Sequence, residues 1–333
     1  MLPVHVPELS ELEAAFAHTR KASVETPLLE APAIAAASGA ARVFVKAESL
    51  QRTGSFKFRG AFWRVSQLSP EEKQRGVVAY SSGNFAQGLA AAARIAGVSA
   101  KIVMPADAPE AKRRGAENLG AQVVLSHHGE RPREEAASAL AGQIAADEKR
   151  VLLHPFDDSL IVAGQGGAGL EAIEQLGRLE LPSPDLVYCC VGGGGLIGGV
   201  SLAFHYRLPA TQVIAVEPEG YDGMGRSLDN AAITRVTSGK ATICDALQAT
   251  QPGEAPFAAA RRAGIGHVSV SDATVRRAML MAFETLKLVL EPSGAVAVAA
   301  VLEAGEAVRG KTVLIYATGG NIAFADFRRV VES

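Results

Sequence analysis

The sequence predicts an α/β protein built on mostly parallel sheets. Short β-rich segments alternate along the chain with amphipathic helical stretches, which is the order expected of βαβ units. Several predicted strands also end in loops rich in glycine and hydroxyl residues, where ligands gather in such folds. With 333 residues, the chain is long enough for two lobes that each bury an apolar interior. We therefore expect two lobes, each with a twisted sheet flanked by helices, and a cleft between them.

In the first half of the chain, strand-forming runs alternate with Ala-rich or charged helical stretches. The predicted strands are residues 42–46, 76–80, 101–104 and 121–125, and the predicted helices begin near Ser55, Phe85, Pro109 and Pro132. We assign residues 67–150 to a small mobile domain. Residues 1–66 and 151–333 together form the larger domain.

In the second half, the same alternation continues without a tandem repeat or a low-complexity linker. The predicted strands are residues 151–153, 186–191, 212–216 and 312–316, and a glycine-rich helix runs from Gly164. Another helix follows Ser271, which is a typical helix cap.

Composition narrows the classes of partner. The chain has 33 Lys and Arg against 35 Asp and Glu, with the signs interspersed, so neither nucleic acid nor a membrane surface is an expected partner. The three cysteines fit no disulfide framework or metal-ligand spacing. The first ten residues lack an apolar signal core, and no apolar run approaches the roughly 20 residues of a membrane helix. We expect a cytoplasmic protein with a small-molecule ligand.

One lysine has neighbours suited to covalent chemistry. Lys57 lies between Phe56 and Phe58 near the start of a predicted helix. A lysine amine becomes a useful Schiff-base nucleophile when apolar neighbours partly desolvate it. Most lysines are solvated surface charges, so the case for Lys57 depends on the other motifs.

The strongest motif is the tetraglycine loop, Gly192 to Gly195, which follows an apolar strand and is followed by Leu196. Successive glycines expose backbone N–H groups, and the following helix adds partial positive charge, so the loop suits a phosphate. The same stretch also matches the dinucleotide pattern G-x-G-x-x-G, with Glu217 about 20 residues further on. The local sequence is therefore also compatible with a nicotinamide dehydrogenase.

Two further loops carry polar groups at predicted strand ends. Ser81-Ser82-Gly83-Asn84 opens a helix and offers backbone donors for a carboxylate, although it is also a common capping turn. Thr318 begins a Thr-Gly-Gly-Asn turn after the last strand. We expect these loops to converge with the tetraglycine loop in one cleft of a parallel sheet. A dinucleotide site offers no role for Lys57.

With these residues together, the chain resembles the serine/threonine dehydratases and serine racemases among the pyridoxal phosphate (PLP) enzymes of tryptophan-synthase-like fold type II. The resemblance covers nearly the whole length. The matching stretches are residues 26–28, 46–48, 51–61, 82–84, 154–158, 163–166, 191–198, 291–295 and 318–321.

The resemblance implies a lyase that converts a 3-hydroxy amino acid such as L-threonine or L-serine to a 2-oxo acid and ammonia by β-elimination. It implies that Lys57 is the cofactor lysine and that the protein is a homodimer. The cofactor-binding residues that it implies are Phe56, Lys57, Asn84, Gly192, Gly193, Gly194, Gly195, Leu196, Glu291 and Thr318. The substrate residues are Ser81, Ser82, Gly83, Asn84 and Arg133.

The chain departs from the family pattern at several positions, so the sequence does not identify the substrate. Phe85 stands where the family commonly has His, and Ala246 stands where Gly is usual. Ser82 occupies the place of a catalytic serine in serine racemases, so racemisation of serine or aspartate is an alternative. Arg133 could instead reach an acidic substrate such as hydroxyaspartate.

A divalent cation is a further possibility from the resemblance. Glu217 aligns with a metal ligand of related enzymes, while Gly223 replaces a second carboxylate and Asp222 comes one position early. A hard cation takes six or more oxygen ligands, so these residues alone make a weak site.

Overall fold

The computed structural model describes residues 4–108, 110–127, 133–237 and 241–333. The strands are β1 (Leu28–Glu30), β2 (Arg42–Lys46), β3 (Val77–Tyr80), β4 (Ala100–Pro105), β5 (Gln122–Ser126), β6 (Val151–Leu152), β7 (Leu186–Cys190), β8 (Gln212–Pro218), β9 (Gly266–Val270) and β10 (Thr312–Tyr316).

The α-helices are α1 (Leu9–Thr19), α2 (Pro32–Ser38), α3 (Lys57–Ser66), α4 (Pro70–Arg75), α5 (Asn84–Ala96), α6 (Glu110–Asn118), α7 (Arg133–Glu148), α8 (Ser159–Arg178), α9 (Gly195–Arg207), α10 (Gly223–Asp229), α11 (Glu254–Ala263), α12 (Asp272–Met281), α13 (Pro292–Glu303) and α14 (Phe324–Glu332). Short 3-10 turns lie at Glu48–Leu50, Arg52–Gly54, Asp245–Leu247 and Gly305–Ala307, and a π-helical turn at Ala282–Leu286 follows α12.

The chain divides into two compact units. The first comprises Met1–Phe56 and Phe156–Ser333, and the second comprises Lys57–Pro155. Helix α3 thus belongs to the second unit. This unit begins ten residues before and ends five residues after the predicted small domain, residues 67–150.

The first unit has a six-stranded sheet in the order β1-β2-β10-β7-β8-β9. All its pairings are parallel except that of β1 with β2. Every residue of β7 is buried, as expected of a central strand of a parallel sheet covered on both faces. Helices α8 and α9 pack closely because both are rich in glycine; a Cβ on Gly199 would lie 2.4 Å from the backbone nitrogen of Gly166.

The second unit has a four-stranded parallel sheet in the order β5-β4-β3-β6. Helices α3 and α5 pack against each other, and a Cβ on Gly88 would lie 3.0 Å from the backbone carbon of Lys57. The aromatic rings of Phe58 and Phe62 stack at 5.3 Å within the interior. Among the described residues, no helix combines the length and apolarity needed to cross a membrane.

Candidate active site

The tetraglycine loop joins β7 to α9 in the first unit. Gly194 caps α9 with a φ of 97°, in the left-handed region that favours glycine. The first N–H groups of a helix have no carbonyl partner within the helix, and the helix dipole adds positive charge there. Gly195 and Leu196 are the first residues of α9, so the loop leads into backbone N–H groups of the kind that suit an anion.

Neighbouring side chains hold this loop in place. A Cβ on Gly193 would lie 2.3 Å from the ring of Phe156, and one on Gly194 would lie 2.8 Å from both Met224 Cε and Pro256 Cβ. The carbonyl of Gly193 also accepts a 3.0 Å hydrogen bond from the N–H of Gly253. Packing therefore excludes side chains from Gly193 and Gly194.

Thr318 follows β10, the strand that pairs with β7. It is buried, and its hydroxyl oxygen lies 3.3 Å from Cys190 Sγ at the end of β7. Its N–H donates to the carbonyl of Gly294, and its carbonyl accepts from the N–H of Phe56 at 3.2 Å. These contacts fix a neutral hydroxyl beside the tetraglycine loop, at the carboxyl ends of two adjacent strands.

The segment before Lys57 is tied to the turn that follows Thr318. The N–H of Gly320 donates to the carbonyl of Gly54, and Asn321 Nδ2 donates to the carbonyl of Thr53. The N–H of Glu291 donates to the carbonyl of Gly319 at 3.1 Å, so the residue that caps α13 is joined to the same turn. Phe56, the residue before Lys57, is consequently fixed next to Thr318.

Lys57 is the first residue of α3 and of the second unit. Its Nζ donates to the carbonyl of Pro155 at 3.2 Å and lies 5.9 Å from the ring centroid of Phe85. The side chain is partly buried, whereas Phe85 is almost fully buried. An apolar ring near a partly buried lysine amine is one feature that favours nucleophilic and base chemistry.

The loop Ser81–Gly83 follows β3 and leads into α5, whose first residue is Asn84. The N–H of Ser81 donates to the carbonyl of Val103, and the N–H of Gly83 donates to Ser81 Oγ. Each residue from Ser81 to Asn84 is partly exposed. A helix N-terminus with accessible polar side chains suits a carboxylate.

These loops do not share one sheet, contrary to our expectation. The tetraglycine loop and Thr318 end adjacent strands of the six-stranded sheet, whereas Ser81–Asn84 follows a strand of the four-stranded sheet. The sequence pattern shows that a loop ends a strand but does not show which strands pair. Arg133 begins α7, and its side chain lies outside the described residues.

Glu217 lies near the end of β8, and its carboxylate binds the start of a helix. Its carboxylate accepts hydrogen bonds from the N–H groups of Met224 at 2.8 Å and Gly225 at 2.9 Å, at the start of α10. Burial raises the pKa of Glu217 to about 7. Asp222 Oδ2 accepts from Arg226, and its other oxygen is buried with no hydrogen-bond partner among the described residues. Within the described part of the chain, no group of three or more His, Cys, Asp or Glu side chains is arranged to hold a metal ion.

Sequence reasoning missed two contacts in the first unit, the Cys190 thiol against Thr318 and the Phe156 ring against the tetraglycine loop. In the second unit it missed the Pro155 carbonyl against Lys57. Phe156 lies in the matching stretch 154–158, which was its available signal. Cys190 carried no such signal, because its contact requires the pairing of two strands that are far apart in sequence.

The fold and the loops are typical of a class: α/β enzymes with a glycine loop that suits a phosphate-bearing ligand and a lysine that suits covalent chemistry. The family model described as "Pyridoxal-phosphate dependent enzyme" matches residues 20–319, and the chain belongs to that family. The predicted fold type II and the predicted family are thereby confirmed, and the nicotinamide dehydrogenase alternative is set aside.

Several proteins are similar to the chain over most of its length. L-threonine ammonia-lyase of Thermotoga maritima is 42% identical over 87% of this chain and 70% of the relative. L-threo-3-hydroxyaspartate ammonia-lyase of a Pseudomonas species is 39% identical over 92% of this chain and 93% of the relative. The structure of maize serine racemase superposes with a TM-score of 0.90 and 30% identity, covering 98% of each chain.

Proposed function

We propose that the protein is a PLP-dependent ammonia-lyase that converts a 3-hydroxy amino acid, such as L-threonine or L-serine, to a 2-oxo acid and ammonia. The observation that carries this proposal is the hydrogen bond from Phe56 N–H to the Thr318 carbonyl. This bond joins Phe56, the residue before Lys57 in sequence, to Thr318, which follows the strand that pairs with the strand leading into the tetraglycine loop. The similarity to an L-threonine ammonia-lyase supports the substrate class.

The residues present suit PLP. The backbone donors of Gly192 to Leu196 would hold its phosphate, and Thr318 would meet its ring nitrogen. Phe56 and Asn84 would contact the ring and its 3-hydroxyl, as the family resemblance implies, and Glu291 would support the turn at Gly319. When bound, PLP supplies the electron sink that makes the Cα proton of an amino acid removable.

Lys57 performs the proton transfer in this proposal. Its amine lies 3.2 Å from the Pro155 carbonyl oxygen and 5.9 Å from the centre of the Phe85 ring, and an amine that is partly removed from water can serve as a general base. The amine removes the Cα proton, and hydroxide leaves from Cβ as the Cα–Cβ double bond forms. The resulting enamine tautomerises and is hydrolysed to the 2-oxo acid and ammonia.

The loop from Ser81 to Asn84 binds the substrate carboxylate in this proposal. The amino end of α5 and the hydroxyl groups of Ser81 and Ser82 supply the donors. Thr318 contributes by its neutrality: a hydroxyl does not hold the ring nitrogen protonated as a carboxylate would, which favours prompt elimination over transamination.

The test is spectroscopic and chemical. We expect the purified protein to absorb in the visible range, and borohydride reduction to fix the cofactor on the peptide that contains Lys57. Incubation with L-threonine or L-serine should release equal amounts of 2-oxo acid and ammonia. Lys57→Ala should lower turnover by about 10²–10⁴-fold; full turnover by this variant, or a protein that takes up no PLP, would contradict the proposal.

Racemisation is a second candidate activity, favoured by Ser82 and by the similarity to maize serine racemase. Ser82 would return a proton to the face of Cα opposite Lys57. We expect Ser82→Ala to abolish any inversion of serine while elimination persists. If the wild-type and variant proteins invert serine at equal rates, Ser82 does not transfer the proton.

We also propose that the protein is a cytoplasmic homodimer and that residues 67–150 act as a mobile domain during turnover. Sedimentation equilibrium tests the dimer, since a monomer at micromolar concentration would contradict it. Hydrogen exchange with and without substrate tests the mobility of residues 67–150.

A further inference from the structure

Cys190 is a buried thiol that the proposed reaction leaves without a role. It ends β7 and is 5% exposed, and its Sγ lies 3.3 Å from Thr318 Oγ1. The neighbouring Cys189 is fully buried, and its Sγ lies 3.7 Å from the carbonyl oxygen of Cys190. Successive residues of a strand point to opposite faces, so the two thiols have different surroundings.

The contact between Cys190 and Thr318 can form in two ways, since either atom can be the donor. A hydroxyl group has one hydrogen and two lone pairs. If Thr318 donates to the sulfur, only its lone pairs remain for a ligand. If the thiol donates to Thr318, the hydroxyl hydrogen is available for a ligand acceptor.

The backbone groups of Thr318 are already hydrogen-bonded within the protein. Its N–H donates to Gly294, and its carbonyl accepts from Phe56, so the hydroxyl is the polar group of Thr318 that is left to face a ligand. An unprotonated ring nitrogen is an acceptor and requires the hydroxyl hydrogen. A protonated ring nitrogen is a donor and requires a lone pair.

We propose that Cys190 is a positioning residue: its thiol donates a hydrogen bond to Thr318, and this directs the Thr318 hydroxyl hydrogen toward the unprotonated ring nitrogen of the cofactor. The inference rests on the proposed function, because it assumes that Thr318 meets that nitrogen. Cys190 touches neither the cofactor nor the substrate in this role. It leaves the Thr318 hydroxyl as a hydrogen-bond donor when the cofactor binds.

The experiment measures cofactor affinity rather than turnover. Cofactor is removed from the purified protein, and the dissociation constants of PLP and of 1-deazapyridoxal phosphate are measured by titration. The deaza analogue has a C–H in place of the ring nitrogen and cannot accept a hydrogen bond there. The proteins compared are wild type, Cys190→Ala, Cys190→Ser and the matched control Cys189→Ala, which removes a buried thiol from the same strand.

We expect Cys190→Ala to weaken PLP binding roughly fivefold, the effect of one ordinary hydrogen bond, and to change binding of the deaza analogue far less. Cys190→Ser should retain the affinity for PLP, because a serine hydroxyl also donates. Cys189→Ala should affect both ligands equally.

Equal weakening of both ligands by Cys190→Ala, or no weakening of either, would overturn the positioning role while the lyase proposal stands. A wild-type protein that binds no PLP at Lys57 would instead overturn the lyase proposal itself. The two failures are therefore distinguishable in the same titrations.

Discussion

At the scale of single residues, the least expected feature is the phenylalanine beside the lysine amine. Phe85 follows Asn84 directly in α5, and its ring is almost fully buried 5.9 Å from Lys57 Nζ. A phenyl ring attracts a cation weakly and offers no hydrogen bond to a substrate. This residue therefore gives Lys57 an apolar neighbour where an imidazole would provide a polar one.

Phe85→His should change substrate preference. We expect the ratio of kcat/KM for L-threo-3-hydroxyaspartate to kcat/KM for L-threonine to rise about tenfold, because a polar ring can pair with a second carboxylate, and one charge-assisted hydrogen bond is worth about 1.5–3 kcal/mol. Steady-state kinetics with both substrates provide the measurement. Phe85→Leu is the control, since it removes the ring and stays apolar; an equal rise in that variant would mean that the loss of the ring alone changes the preference.

At the scale of elements, the turn between β7 and α9 depends on the absence of side chains. Gly193 is opposed by the ring of Phe156, which lies 2.3 Å from the position of an added Cβ. The opposing atoms include Phe156 Cγ, at the base of the ring, so the whole ring has to shift to make room for a Cβ. The loop is thus specified by packing as well as by its suitability for phosphate.

Gly193→Ala should destabilise the protein by about 1–3 kcal/mol, the usual range for overpacking, and should weaken PLP binding. Urea unfolding and cofactor titration measure the two effects. Gly142→Ala is the matched control, because Gly142 lies within α7 and an added Cβ there meets nothing within 4 Å. That control should gain about 0.5–1 kcal/mol; a Gly193→Ala protein as stable as the control would argue against the packing constraint.

A buried ion pair links the end of β2 to α8. Lys46 is fully buried, and its Nζ donates to Glu171, Gln175 and the carbonyl of Thr26, each at 2.7 Å. Thr26 Oγ1 in turn donates to the buried Glu48. The network fixes the start of the segment that leads to Lys57.

Lys46→Met should cost about 3–5 kcal/mol, because it leaves the Glu171 carboxylate buried without its cation. Arg309→Met is the control, since Arg309 and Glu306 form an exposed pair and such pairs contribute about 0–1 kcal/mol. Chemical denaturation of both variants supplies the comparison, and losses of equal size would remove the distinction between the buried and exposed pairs.

At the scale of the whole molecule, stability should depend on pH through Glu217. Its pKa is raised from 4.5 to about 7 by burial, so the folded protein favours the protonated carboxyl. The stabilisation from this group is fully present below pH 4.5 and is lost as pH rises through 7. A shift of this size corresponds to at most about 3 kcal/mol.

Denaturation of the wild-type protein and of Glu217→Gln between pH 4 and pH 8, with a chelator present, measures this loss. The free energy of unfolding of the wild type should fall relative to that of the variant, which cannot titrate at this position. Parallel curves for the two proteins across this range would contradict the raised pKa.

Much of the fold could be predicted from sequence. Strands β2 and β10 have their predicted bounds because each is a continuous β-rich run. Strand β9 was missed because its three middle residues are exposed and two of them, His267 and Ser269, are polar. The candidate cofactor lysine and the tetraglycine loop have local signatures, but the pairing of β7 with β10 depends on contacts far apart in sequence. The contact of the Cys190 thiol with Thr318 could not be predicted, because it depends on that pairing.

The hydrogen bond from Lys57 to Pro155 joins the first and last residues of the second unit. That unit is therefore an insertion whose entry and exit points adjoin, a common property of domains that recombine as modules. Exchanging residues 57–155 between relatives would carry the lysine with the incoming module. It would leave Phe56 and Phe156, with their contacts to Thr318 and Gly193, in the recipient. Recombination breakpoints at these two peptide bonds would thus keep the contacts on each side intact, so substrate preference could be altered by module exchange without rebuilding the phosphate loop.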